Sequence, residues 1–191
     1  MRKYLLVALL AGVSATPAFA QDAAPFTGPR VEAIVGYDST DVDEVGSEGV
    51  VYGGAIGYDF NFGGAIAGIE AELSDSSVDE CVSNVDVTGD ELCAQAGRDI
   101  YVGGRVGAVL GSSTLLYAKA GYVNGRANLQ YDAPGTVDDF DDGANLDGVR
   151  LGGGAEFALG RNLFAKAEYR YSNYEQGVEK HQVVGGVGFR F

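Results

Sequence analysis

From Val31 to Phe191, hydrophobic and polar residues alternate repeatedly with a period of two, and the runs break at clusters of Gly, Asn, Asp and Ser. The 3.6-residue period of an amphipathic helix does not emerge along this stretch, so the pattern predicts strands. Eight segments are delimited: 30–38, 49–61, 65–74, 99–110, 114–130, 147–159, 162–173 and 180–191. Tight turns fall at Phe62-Gly63-Gly64, Gly111-Ser112-Ser113 and Gly160-Arg161-Asn162. Long polar stretches fall at 39–48, 75–98, 131–146 and 174–179. Antiparallel neighbours joined in this order place every short turn at one end of a barrel and every long loop at the other.

A faint repeat accompanies the spacing. Gly107–Tyr122 aligns without gaps to Gly154–Tyr169 with seven identities, and Gly63, Ser112 and Arg161 lie 49 residues apart. A duplicated hairpin and a shared constraint on two hairpins account for it equally well.

Each segment has two faces. In the seventh, Leu163, Ala165, Ala167, Tyr169 and Tyr171 oppose Phe164, Lys166, Glu168, Arg170 and Ser172; the fifth sets Leu116, Ala118, Ala120 and Tyr122 against Tyr117, Lys119 and Gly121. Alternation alone leaves the direction open. A soluble lipocalin-like barrel turns its apolar face inward, a membrane barrel outward.

The distribution of aromatics favours outward. Tyr37, Tyr52, Tyr122, Tyr169 and Tyr171 lie toward the long-loop end, and Tyr58, Phe60, Phe157, Phe189 and Phe191 toward the short-turn end. Two aromatic belts around an aliphatic zone match two lipid–water interfaces. Tyr52 to Phe60 spans nine residues, the length a tilted strand needs to cross.

Charge on the other face supports the same direction. Glu32, Asp59, Glu70, Glu72, Glu156 and Glu168 are matched in number by Arg105, Lys119, Arg150, Lys166, Arg170 and Arg190. No Lys or Arg occurs between Val31 and Gly97, so an acidic wall would meet a basic one across a narrow lumen. Buried charges persist only with partners, and a filled barrel therefore requires such balance. Solvated positions on a soluble sheet would not. Glycines at 53, 57, 103, 107, 152, 154, 186 and 188 share this face and leave room for the long side chains.

Length sets the strand number. Eight spans of about ten residues each fit the chain with loops to spare, whereas sixteen would consume it. Eight strands enclose a space just wide enough for side chains. A single domain of 191 residues with one His, two Cys and a net charge of −14 offers little for a zinc site and no basic surface for nucleic acid. Arg2 and Lys3, the apolar run Tyr4–Val13 and Ala18-Phe19-Ala20 read as a secretory signal peptide over 1–20, too short for a spanning helix. The barrel domain then occupies 21–191, and loss of Arg2 and Lys3 leaves a charge of −16.

The signal, the alternating strands, and the segments Val51–Phe62 (VYGGAIGYDFNF), Ala67–Ser74 (AGIEAELS), Leu163–Tyr171 and Val183–Phe191 (VVGGVGFRF) resemble the small bacterial outer-membrane barrels of the Omp25/opacity-protein-like group, often called the porin family. The resemblance covers the whole mature chain. It implies an all-β, eight-stranded antiparallel up-and-down transmembrane barrel in the outer membrane of a Gram-negative bacterium. It also implies roles in envelope integrity or surface contact, and makes Phe191 part of the signal read by the barrel-assembly machinery.

Cys81 and Cys93 flank eleven residues of the second long loop; in an oxidising compartment such a pair is normally a disulfide, the alternative being free thiols or a redox pair. Asp138–Asp142 followed by Gly143 gathers hard oxygen ligands for a divalent cation but lacks the order of an EF-hand loop; solvated loop charge is the preferred reading, and no metal site is assigned. His181, beside Glu179 on the apolar parity, is the sole candidate general base and reads as a boundary histidine. The expectation is therefore a monomeric, cofactor-free, non-enzymatic surface barrel surrounded by outer-membrane lipid. A narrow cation-preferring pore and a soluble lipocalin-like carrier are the competing classes.

Overall fold

The computed structural model describes residues 26–42, 45–77, 79–83, 91–132 and 140–191. The expected signal peptide lies outside the described residues. Among the described residues nine strands occur: β1 (Gly28–Val42), β2 (Val45–Asn61), β3 (Ala65–Ser76), β4 (Asp79–Ser83), β5 (Glu91–Leu110), β6 (Thr114–Asp132), β7 (Phe140–Ala158), β8 (Leu163–Tyr174) and β9 (Val178–Arg190). They form one antiparallel sheet in the order β3-β2-β1-β9-β8-β7-β6-β5-β4, and β3 also pairs with β5. That last pairing closes a ring of eight. β4 lies outside the ring, paired with Glu91–Gln95 at the start of β5.

The seam between the first and last strands sets Val31 opposite Phe189, and the Phe191 amide donates to the Pro29 carbonyl at 3.0 Å. At the β2–β3 turn the Asn61 side chain accepts from the amides of Gly63 and Gly64 at 2.8 and 3.1 Å. Those glycines have φ of +77° and +106°, values that favour glycine.

The strands run further than alternation predicts. β5, β6 and β7 have 20, 19 and 19 residues, about twice what a membrane crossing needs. Much of 39–48, 75–98 and 131–146 continues as paired hairpin, β4 arises within 75–98, and a 3-10 turn at Glu175–Gly177 lies within 174–179. Beyond the aromatic belt both faces of a strand meet water, so the ladder continues while the period-two signal fades.

Burial is inverted relative to a soluble domain. Ile56 and Ile69 are 63% and 65% exposed on the outside, whereas Arg105, Arg150 and Arg170 are 2% exposed or less. A lipocalin-like carrier requires the opposite arrangement, an apolar cavity within. Inward glycines make the space: Gly188 faces Phe164 across β8–β9, and a Cβ there would run into the ring.

Candidate functional site

The interior is the candidate site, and alternation builds it: every second residue of each strand points into one narrow space. Near the short-turn end four charges form a closed ring. Asp59 (β2) accepts from Arg105 Nε (β5) at 2.8 Å and from Arg190 Nη1 (β9) at 2.6 Å. Glu156 (β7) takes the remaining arms, Arg190 Nη2 at 2.6 Å and Arg105 Nη1 at 3.1 Å.

The next layer centres on Arg30 (β1), which pairs with Glu70, with Glu32 at 3.1 Å and with Asp59 at 3.2 Å. Lys166 (β8) lies 2.6 Å from Glu32, and Lys119 (β6) lies 2.7 Å from Glu70 and 2.9 Å from Glu168. The Tyr117 hydroxyl donates to Glu168 at 2.6 Å. Above them Glu72 (β3) receives Arg170 and, at 3.3 Å, Arg150. Arg150 also reaches Asp99 at 2.8 Å and the Ser172 hydroxyl at 2.8 Å. Tyrosine faces lie under several of these cations, among them Lys119 4.7 Å from the Tyr101 ring and Arg105 5.0 Å from that of Tyr117, distances at which a ring attracts a cation.

All twelve charges assigned to the polar face by parity are buried here. Four more join them: Arg30, Asp38, Asp99 and Lys180. The buried complement among the described residues is then eight acids and eight bases. The additions keep the parity of residues already placed, Arg30 and Asp38 with Glu32, Asp99 with Arg105, and Lys180 with Arg190. All four stand at the ends of the delimited segments 30–38, 99–110 and 180–191, so parity carried to those ends assigns them.

Apolar groups cap both ends. Phe26, Ile66, Leu115 and Tyr117 cluster at the short-turn end, where Arg190 lies over the rings of Phe26 and Phe164 at 5.9 and 5.4 Å. Phe26 is 2% exposed and has φ of +73°, a conformation that costs a non-glycine residue energy. Tyr101, Val123 and Tyr174 cluster at the other end, flanked by Leu146 and Val178.

The remaining candidates lie elsewhere. His181 is on the outer face, where its Nδ1 is 2.8 Å from the Tyr169 hydroxyl and its ring 5.0 Å from that of Tyr171. Cys81 and Cys93 are direct partners in the β4–β5 register; their side chains lie outside the described residues, as do those of Asp138–Asp142. Phe191 is exposed beside Phe189, ring centroids 5.1 Å apart. Beyond the aromatic belt Asp147 accepts from Tyr122 at 2.5 Å and Asn124 at 2.7 Å, which holds its carboxyl below the ordinary aspartate range.

A closed ring of eight antiparallel strands, apolar and belted outside and charged within, defines a transmembrane β-barrel. Residues 5–191 match the outer membrane protein beta-barrel domain, and the chain belongs to that family. Its place is the outer membrane; barrels of this kind turn their short connections to the periplasm and their long ones to the outside. Among solved structures it is similar to Ail, the attachment invasion locus protein of Yersinia pestis, with a TM-score of 0.56 and 16% identity over 86% of this chain and 99% of that one. It is also similar to Neisserial surface protein A, with a TM-score of 0.60 and 17% identity over 86% and 98% of the two chains. At such identities the likeness is one of fold. No curated protein matches the sequence.

Proposed function

We propose that this protein is a non-conducting structural barrel that holds an acidic β-sheet at the cell surface and serves envelope integrity and surface contact. The observation that carries the reading is the neutral lumen, eight buried acids against eight buried bases, interlocked across the bore. A solute path needs continuous water. Here the ring of Asp59, Arg105, Glu156 and Arg190 spans the cross-section, and the Phe26–Ile66–Leu115 cluster lies at the periplasmic end. The reading includes no catalysis, since His181 is engaged by Tyr169 on the outer face.

Surface contact is favoured by the protruding strands. Among the described pairings, β4 bonds only to β5. Open ladder edges accept an added strand. The Yersinia relative was solved with the heparin analogue sucrose octasulfate, a polyanion; a chain of net charge −14 calls for a partner of opposite sign. The competing pore, motivated by the acidic rim, is decided in planar bilayers. Absence of stable unit currents over many independent insertions supports the closed barrel, and reproducible unit currents would overturn it.

A further inference from the structure

The apolar outer wall is grooved where β1, β2, β3 and β5 lie side by side. Two cross-strand pairs form its sides, Val31 with Ile56 and Leu73 with Ile100. Between them runs a diagonal of two small residues, Gly54 on β2 and Ala71 on β3, set beside Leu73 and Ile56 in the register. Gly54 has no side chain to cover its strand, so backbone forms the floor there. The groove encloses about 490 Å³. Its four side residues are exposed on the outside of the barrel. Glu32 and Glu72 also line it, but their carboxylates are turned away into lumen ion pairs with Lys166 and Arg170.

Position and chemistry select what fills it. Gly54 lies two residues after Tyr52 and six before Phe60, between the aromatic belts and nearer the outer one. Water is absent at that depth, and a polar ligand would leave its hydrogen bonds unmade against aliphatic walls. The occupant is therefore apolar. A second copy of the chain would bring its charge with it. The lumen is balanced at eight acids and eight bases, so the net charge of −14 resides outside the lumen, and two such exteriors side by side repel. A lipid tail carries no charge, and the groove is continuous with the lipid-facing band. Lying between two ridges, a tail gains dispersion contacts on both sides that a flat wall does not offer.

We propose that this groove is a lipid-tail site, holding one acyl chain of an outer-leaflet lipid longer than the surrounding lipid shell is held. The site goes beyond the closed-barrel reading and is independent of whether the lumen conducts.

The test uses the full chain in lipid nanodiscs containing a phospholipid with a photoreactive diazirine midway along one acyl chain. Adducts mapped by mass spectrometry are expected to be several-fold more frequent at Ile56 and Leu73 than at Val149 and Leu151 on β7, which are similarly exposed. Gly54→Leu fills the groove and is expected to bring the yield down to the β7 level. Ala71→Leu fills it from β3, is expected to do the same, and serves if Gly54→Leu does not assemble. Gly153→Leu on β7, where an added Cβ meets only ordinary contact, is expected to leave the excess unchanged. Equal yields at the two pairs of residues in the unsubstituted protein would overturn the proposal, as would an excess that survives the filling substitutions. So would chemically crosslinked dimers that Gly54→Leu abolishes, since they assign the groove to a second copy.

Discussion

Lys119 and Glu70 meet across the lumen with Nζ 2.7 Å from Oε1, tying β6 to β3 over the intervening β5. The same ammonium lies 2.9 Å from Glu168 on β8. One side chain therefore links three strands that the backbone ladder does not join directly.

Removing that ammonium leaves buried carboxylates short of a partner. Lys119→Met is expected to destabilise the barrel by about 3–5 kcal/mol, the cost of breaking a buried pair from one side. Adding Glu70→Gln to it should recover part of the loss, because the orphaned charge is then gone. Urea unfolding in micelles, followed by the shift between folded and unfolded gel mobility, measures both.

The outer face makes a depth-dependent prediction. Ile56 lies midway between Tyr52 and Phe60 and is 63% exposed to the surroundings. Ile56→Arg is expected to cost about 2–4 kcal/mol in a bilayer, and Val50→Arg, near the outer interface, about 0–1 kcal/mol. Equal effects at the two positions, measured by unfolding in lipid vesicles, would contradict the placement of the apolar band.

These two predictions rest on features that the sequence displays openly. Parity placed Lys166, Glu168 and Arg170 on one face of their segment and Ala165, Ala167 and Tyr169 on the other, because lipid and lumen impose opposite demands on adjacent residues. The protruding hairpins were not legible. Ser39, Thr40 and Asp41 are polar whichever side they face, so nothing in their order marks the strand they form. Phe26 was missed for a different reason: it precedes the first alternating run, and its role depends on Ile66 and Leu115, which only the closed ring brings near.

Phe26 reverses the usual ranking of small residues. Its ring is buried at the periplasmic mouth, but its φ is +73°. Phe26→Ala is expected to lose about 3–5 kcal/mol of packing. Phe26→Gly should be less damaging than Phe26→Ala by about 1–2 kcal/mol, since glycine adopts left-handed backbone without a Cβ clash. The same urea titration ranks the two variants.

Cys81 and Cys93 are opposed in the β4–β5 register, a placement within the reach of a disulfide. Protein isolated without reductant is expected to have a mass two hydrogens below that of the reduced form. Reduction should loosen this hairpin by about 3 kcal/mol on the loop-entropy account while leaving the folded barrel's gel mobility unchanged. Free thiols in the untreated protein would count against the bond.

The most direct test of the account asks which side chains touch lipid. Nuclear Overhauser effects between acyl-chain protons and protein methyls, recorded on the full chain in lipid nanodiscs, read this without any substitution. Strong contacts are expected at Ile56, Ile69, Leu73 and Val106, and none at Ile66, Leu115 or Val184, which are buried in the lumen. Acyl contacts at Leu115 and Val184, with silence at Ile56, would contradict the inside-out arrangement on which the closed, charge-filled barrel depends.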